Sequence, residues 1–137
     1  MKNASFVILH NDIHLVMLFR AKDHCWGFPG GKVEQNESLV DAACREVFEE
    51  IGIKLCKDDL TFKAAHKVSD TLQSNVYTTK VKTNVLIDVI NNVANNVASC
   101  SHESIGAAVF DIYKTDFTKL KLAPTVLEEI QVVFGIK

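Results

Sequence analysis

Residues 26–53 read WGFPGGKVEQNESLVDAACREVFEEIGI, and the reading of this stretch decides both the fold and the chemistry. Ala21 to Lys32, which runs into it, holds three of the six glycines and one of the two prolines. Pro29 cannot continue a strand ladder, so this part is expected to be a loop. A helix should follow from about Glu37 to Ile51. Val40, Ala43, Val47 and Ile51 recur there at helical spacing as one buried stripe, and Gly52 stands where a left-handed carboxy-terminal cap belongs. Glu46, Glu49 and Glu50 lie at i, i+3 and i+4 and therefore share a face, on the side away from the stripe.

A solvated acidic surface is the ordinary reading of such a face. Two local rules oppose it here. Like charges at i, i+4 cost about 0.2–0.5 kcal/mol, and acids in the last turn oppose the helix dipole. Within the helix, which Gly52 ends, no lysine is placed at i+4 to relieve them. Acids held together against both rules are expected where a cation binds. Oxygen ligands without a nearby His or Cys point to a hard ion, Mg²⁺ or Mn²⁺. Gly30-Gly31 lets bare backbone approach a ligand, so the Gly31 carbonyl can join the same ion. Arg45 projects beside the acids and can grip a carboxylate or phosphate in a bidentate fork.

The spacing Gly31, five residues, Glu37, seven residues, Arg45-Glu46-Val47, one residue, Glu49-Glu50, one residue, Gly52-Ile53 resembles the Nudix box at every fixed position. Trp26-Gly27-Phe28-Pro29 before it, and KLAPTVLEE within Leu120 to Glu129, also look like that family. The resemblance implies an α/β/α sandwich with a mixed β-sheet. It implies metal-assisted hydrolysis of a nucleoside diphosphate linked to a further group, with water attacking phosphorus. It makes Gly31, Glu46, Glu49 and Glu50 metal ligands, has Arg45 orient a glutamate, and has Glu37 buttress the box or help bind metal. A further carboxylate often comes from a distant loop in this family. Glu103 is the candidate, with Asp88 second because strand alternation disfavours it. Trp26, Phe28 and Tyr77 are aromatic faces on which a base can stack, although core packing beneath the loop is the better reading for Trp26 and Phe28. His24 and His102 flank the expected site and are candidates for touching substrate; the five histidines otherwise show no ligand spacing.

Outward from this centre, Ser5–His10 and Ile13–Arg20 read as a hairpin turning at Asn11-Asp12. Leu60–Ser69 reads as a strand and Asp70–Asn75 as a loop. Val76–Val89 reads as a long strand, with Tyr77, Thr79, Val81, Thr83, Val85, Ile87 and Val89 on one face. The repeat NNVANNVA, Asn91 to Ala98, reads as a loop with at most a helical turn. Ile105–Ile112 returns to strand, and Pro124 opens a last helix with Leu127, Ile130, Val133 and Phe134 on one face.

With 137 residues, 47% of them apolar, the chain is expected to be one domain, residues 1–137. A net charge of −2 from balanced acids and bases argues against broad binding to nucleic acid or an anionic membrane. Four scattered cysteines without a C-x-x-C pair suggest neither zinc nor a disulfide framework. The amino terminus is too polar for a leader or span, so a cytoplasmic protein is expected, as monomer or homodimer. Two subfamily marks are absent: residues 68–71, VSDT, contain neither the proline of ADP-ribose enzymes nor the tyrosine of dinucleoside polyphosphate enzymes. The chain looks most like compact MutT-like members that convert nucleoside triphosphates to monophosphates. ADP-ribose, nucleotide-sugar or dinucleoside polyphosphate hydrolysis, removal of pyrophosphate from RNA 5′ ends, and nucleotide sensing without turnover are the alternatives.

Overall fold

The computed structural model describes residues 1–95 and 103–136. Strand β1 (Lys2–His10) and β2 (His14–Arg20) form the expected hairpin, with Asp12 at φ 75° in its turn. Two short strands, β3 (Trp26–Gly27) and β4 (Gly30–Lys32), interrupt the loop before helix α1 (Leu39–Ile51). Ser38 caps that helix by accepting from Asp41 N–H, and Gly52 ends it at φ 70°. Then come β5 (Thr61–Lys67), β6 (Leu72–Lys80), helix α2 (Thr83–Ala94), β7 (Ser104–Asp111) and helix α3 (Val126–Phe134).

The sheet is mixed. Its order is β3-β2-β1-β6-β5, with β4 added antiparallel to β1 and β7 antiparallel to β2, and with β1 and β6 running parallel from Lys2↔Leu72 to His10↔Lys80. Strand alternation divides the core into two layers. Val7, Leu9, Val16 and Leu18 pack under Val47 and Ile51 of α1 and Leu86 and Val89 of α2. Ile8, Leu15, Met17 and Val76 face the other way, toward Val126 and Ile130 of α3. The architecture is an α/β/α sandwich.

The second half of the expected Val76–Val89 strand is α2 instead. Val85, Ile87 and Val89 alternate as in a strand, but Leu86, Val89 and Val93 also repeat at three and four, and the helix buries Leu86 and Val89 while Ile87 stays 50% exposed. Lys82 at the cap position makes no side-chain cap bond, so the helix start carries no signal of its own. The expected loop 70–75 is shorter as well. Asn75 is buried in β6, where its amide reaches Asn3 Oδ1 and the Ala4 carbonyl. Of the NNVANNVA repeat, Asn91 to Ala94 continue α2, and Asn92 donates to the Ile51 carbonyl at 2.9 Å; residues 96–98 lie outside the described residues, as do Cys100 and His102.

Candidate active site

The box folds as two glycines laid against one helix face. Gly30 has φ 153°, and a Cβ there would collide with the Ser5 carbonyl and Phe6, so only glycine lets β4 lie this close to β1. A Cβ on Gly31 would sit 2.5 Å from the Glu46 carboxyl carbon. The glycine pair thus makes room for the acids of α1, and the Gly30 N–H donates to Glu50 Oε1 at 3.2 Å.

Arg45 is the hub of the acidic face. Its Nε and Nη2 donate to the two oxygens of Glu37 at 2.8 and 3.0 Å, its Nη1 to Glu46 at 2.9 Å and Glu49 at 3.0 Å, and its Nη2 to the Lys32 carbonyl at 3.1 Å. The Arg45 bond, with the Glu34 N–H, holds the Glu37 carboxyl below its ordinary range. Glu37, Glu46 and Glu49 are all tied to the guanidinium, and of the box acids Glu46 and Glu50 reach a cleft of about 910 Å³. β4 covers the Glu46 part of this face, whereas the Glu49 side chain stays 40% exposed.

Burial sets the charge state of the cleft acids. It pushes the Glu50 carboxyl up to about 8, against the Gly30 bond and with the charges of Glu103 and Glu46 adding to the shift. It also raises Glu46, opposed by Arg45. Glu103 lines the same cleft, and its backbone carbonyl accepts from Ala21 N–H at 2.7 Å. Among the described residues no three His, Cys, Asp or Glu side chains are grouped to hold a metal ion as they stand. The donor set itself fits a hard divalent cation: it is oxygen only, Glu46 and Glu50 are two desolvated carboxyls, and Glu103 adds a third acid. A cation there would relieve both the burial cost and the repulsion.

The remaining candidates separate. Phe28 is 6% exposed and forms cleft wall and core at once. Tyr77 does not line the cleft: alternation along β6 turns it to the α1 side, where it meets Phe62 at 5.5 Å. His24, at φ 56°, stacks on Phe19 at 5.6 Å outside the cleft. Trp26 packs between Phe19 and Phe110, as a core residue should. Asp88 is exposed on α2, away from the cleft. The sequence reading missed the cations of the cleft, Arg20, Lys22 and Lys32. Arg20 is held by Asp23 at 2.7 Å, an i, i+3 pair just ahead of the glycine block that was legible as a fixed cation.

Comparison with known proteins agrees with this geometry. An 8-oxo-dGTP diphosphatase of Proteus vulgaris is 47% identical over 45 residues, 33% of this chain and 40% of that protein. An RNA pyrophosphohydrolase of Tolumonas auensis (strain DSM 9187 / NBRC 110442 / TA 4) is 35% identical over 65 residues, 47% of this chain and 36% of that protein. The aligned stretches therefore span well under half of these relatives. The MutT protein from Methanosarcina mazei Go1 superimposes with a TM-score of 0.69 at 20% identity, covering 98% of this chain and 92% of that one, which shows a shared fold. The model of the NUDIX domain matches residues 1–114, and with the box geometry described above the chain belongs to that family.

Proposed function

We propose that the protein is a metal-dependent pyrophosphohydrolase that converts a nucleoside triphosphate to the monophosphate and pyrophosphate. The observation that carries this reading is the single cleft lined by the half-buried acids Glu46 and Glu50 and by the cations Arg20, Lys22 and Lys32. Acids alone would suit a cation and bases alone an anion; both in one cleft suit a metal-bound polyphosphate.

Glu46, Glu50 and the Gly31 carbonyl, with Glu103 beside them, would hold Mg²⁺ or Mn²⁺. Such an ion neutralises a diphosphate and lowers the pKa of an attacking water. Arg45 orients Glu46 by direct hydrogen bond and keeps Glu49 and Glu37 together behind it. Arg20, braced by Asp23, is preorganised to meet phosphate oxygens, and the lysines add charge at lower precision. Glu46 and Glu103 are the two carboxylates available to take the water's proton.

The names borne by relatives, 8-oxo-dGTP diphosphatase and RNA pyrophosphohydrolase, support the reaction class and differ in substrate. The pure protein should be incubated with nucleoside triphosphates, ADP-ribose, nucleotide sugars, dinucleoside polyphosphates and a 5′-triphosphorylated oligonucleotide, each with Mg²⁺ or Mn²⁺. Monophosphate and pyrophosphate from free triphosphates is the expected result. Preference for the oligonucleotide would move the assignment to RNA ends. Tight nucleotide binding without any turnover would make the protein a sensor.

A further inference from the structure

The sheet carries a second hollow at the end away from the cleft. It measures about 400 Å³ and shares no lining residue with the cleft. The cleft meets β6 at Leu72 and Ser74, whereas this hollow meets it from Thr78 onward, roughly 13 Å further along at about 3.3 Å per strand residue. Its origin is a difference in strand length. β5 begins with Thr61, opposite Thr78, so the outer edge of β6 is unpaired beyond that point. The Val81 N–H donates to the His10 carbonyl of β1 at 2.8 Å. Successive strand residues turn their backbone groups to opposite sides, so the Lys80 N–H points at the bare edge, and no described residue accepts from it.

Side chains around the hollow add donors that the protein leaves unpaired. Thr78 and Thr79 are 6% and 5% exposed, on the α3 and α1 faces of β6 in turn, and neither hydroxyl hydrogen-bonds to a described residue. Buried hydroxyls are nearly always paired, and here the hollow is the direction left for a partner. Thr61, across from Thr78, adds a third hydroxyl. His10 Nδ1 accepts the Asp12 N–H at 3.1 Å, which places the proton of the neutral ring on Nε2. Burial lowers the pKa of this histidine, so the neutral form prevails at pH 7. Lys54 and Lys80 bring two ammonium groups. Two acids stand against them: Asp12, ion-paired with Lys80, and Asp59 in the wall.

We propose that this hollow is a second oxyanion site, taking a phosphate group either as free phosphate or pyrophosphate or as part of a nucleoside monophosphate. A cation would meet two ammonium groups, and an apolar ligand would leave the threonine hydroxyls and the Lys80 N–H unpaired. A phosphate accepts from all of them. Its shape fits as well. The donors come from both faces of β6 and from its edge, which suits oxygens set in three dimensions better than the two of a planar carboxylate. The site uses none of the box acids, so it stands apart from the hydrolase reading.

The test is an amide-shift titration of the intact protein in chelator, at constant ionic strength, with inorganic phosphate, pyrophosphate and AMP as separate probes. Saturable shifts at Thr78, Thr79 and Lys80 are expected with at least one probe, with half-saturation at about 1–10 mM or tighter. The probe bound best identifies the source of the phosphate. The His10 ring protons, followed over pH, should show a raised pKa with that probe bound, because an anion beside the imidazole favours its charged form. Thr78→Val preserves shape and should weaken binding by about tenfold, the loss of one bond to a charged acceptor. Asp12→Asn, in a turn whose φ of 75° asparagine tolerates, releases Lys80 and should tighten binding by about twofold to fivefold. Absence of saturable shifts at these amides with all three probes would overturn the proposal, as would affinities that neither variant changes. Shifts confined to the cleft residues Arg20, Gly30 and Gly31 overturn it too, since phosphate then has one site only. Failure of nucleotide hydrolysis with the Thr78 to Lys80 shifts intact sinks the hydrolase reading and leaves this site standing.

Discussion

Replacing Glu50 by Gln should strengthen the metal-free fold and disable the enzyme. The Glu50 carboxyl is held at about 8 against an ordinary 4.5. For an acid raised in the folded state, folding is unopposed below the ordinary value and is increasingly opposed as pH climbs to the folded one. Each pH unit in that window costs about 1.4 kcal/mol, so about 3 kcal/mol of destabilisation is present at pH 7. Gln does not ionise, so it removes the cost of taking up a proton on folding, and it keeps an oxygen for the Gly30 N–H, although its new amide hydrogens are not all satisfied. A net gain of about 1–3 kcal/mol is expected at pH 7, against only about 0.2–0.5 kcal/mol if the acid merely repelled its neighbours on a solvated surface. Urea unfolding in chelator at pH 5, 7 and 8 should show wild-type stability falling across this range through this group, and the variant falling less. Turnover across a Mg²⁺ titration should drop by about two orders of magnitude or more, since a charged ligand is lost. Equal stability of the two proteins at every pH would refute the burial argument, and unchanged turnover at limiting Mg²⁺ would refute the metal-site argument.

Gly31→Ala places a methyl against the Glu46 carboxyl; because Gly31 is not at positive φ, the fold should lose no more than about 1–2 kcal/mol by urea unfolding while kcat falls about tenfold or more. Gly30→Ala meets backbone as well as strain at φ 153°, so thermal unfolding should reveal a loss of about 3 kcal/mol or more. Arg45→Lys retains charge but loses the fork that grips both Glu37 oxygens and reaches Glu46; a stability loss of about 1 kcal/mol, after allowance for partial exposure, should accompany a larger loss in kcat than in KM.

The fold was legible wherever a local rule spoke alone. Asn11-Asp12 marked a hairpin, Gly52 marked a helix end, and the stripe Ala43, Val47, Ile51 marked α1, each because one backbone or packing requirement leaves few residue choices. Residues 81–93 obeyed two periods at once. Their β-branched composition favours strand, and the helix forms because α2 covers apolar surface of β7 and α1, a long-range gain that no window of the sequence displays.

Helix spacing brought Glu46, Glu49 and Glu50 to one face, but it could not say which of them lines the cleft. That placement depends on β4, which reaches α1 only because Gly30 and Gly31 lack side chains, while Arg45 holds Glu37, Glu46 and Glu49 together. The same contact turned an apparent solvated surface into a desolvated one and set the shifts of Glu46 and Glu50. Glu129 left a fainter trace: a carboxylate set between Val126 and Ile130 on the buried side of an otherwise apolar helix face. Such a misfit is weak evidence in one dimension, since a long acid can reach solvent from the edge of a stripe. Only the sheet decides it, by placing the Ser74 hydroxyl of β6 against the carboxyl at 2.8 Å. Both ends of the cleft thus depend on where strands set backbone and hydroxyl groups against helix acids, a pairing between residues about twenty to fifty-five apart.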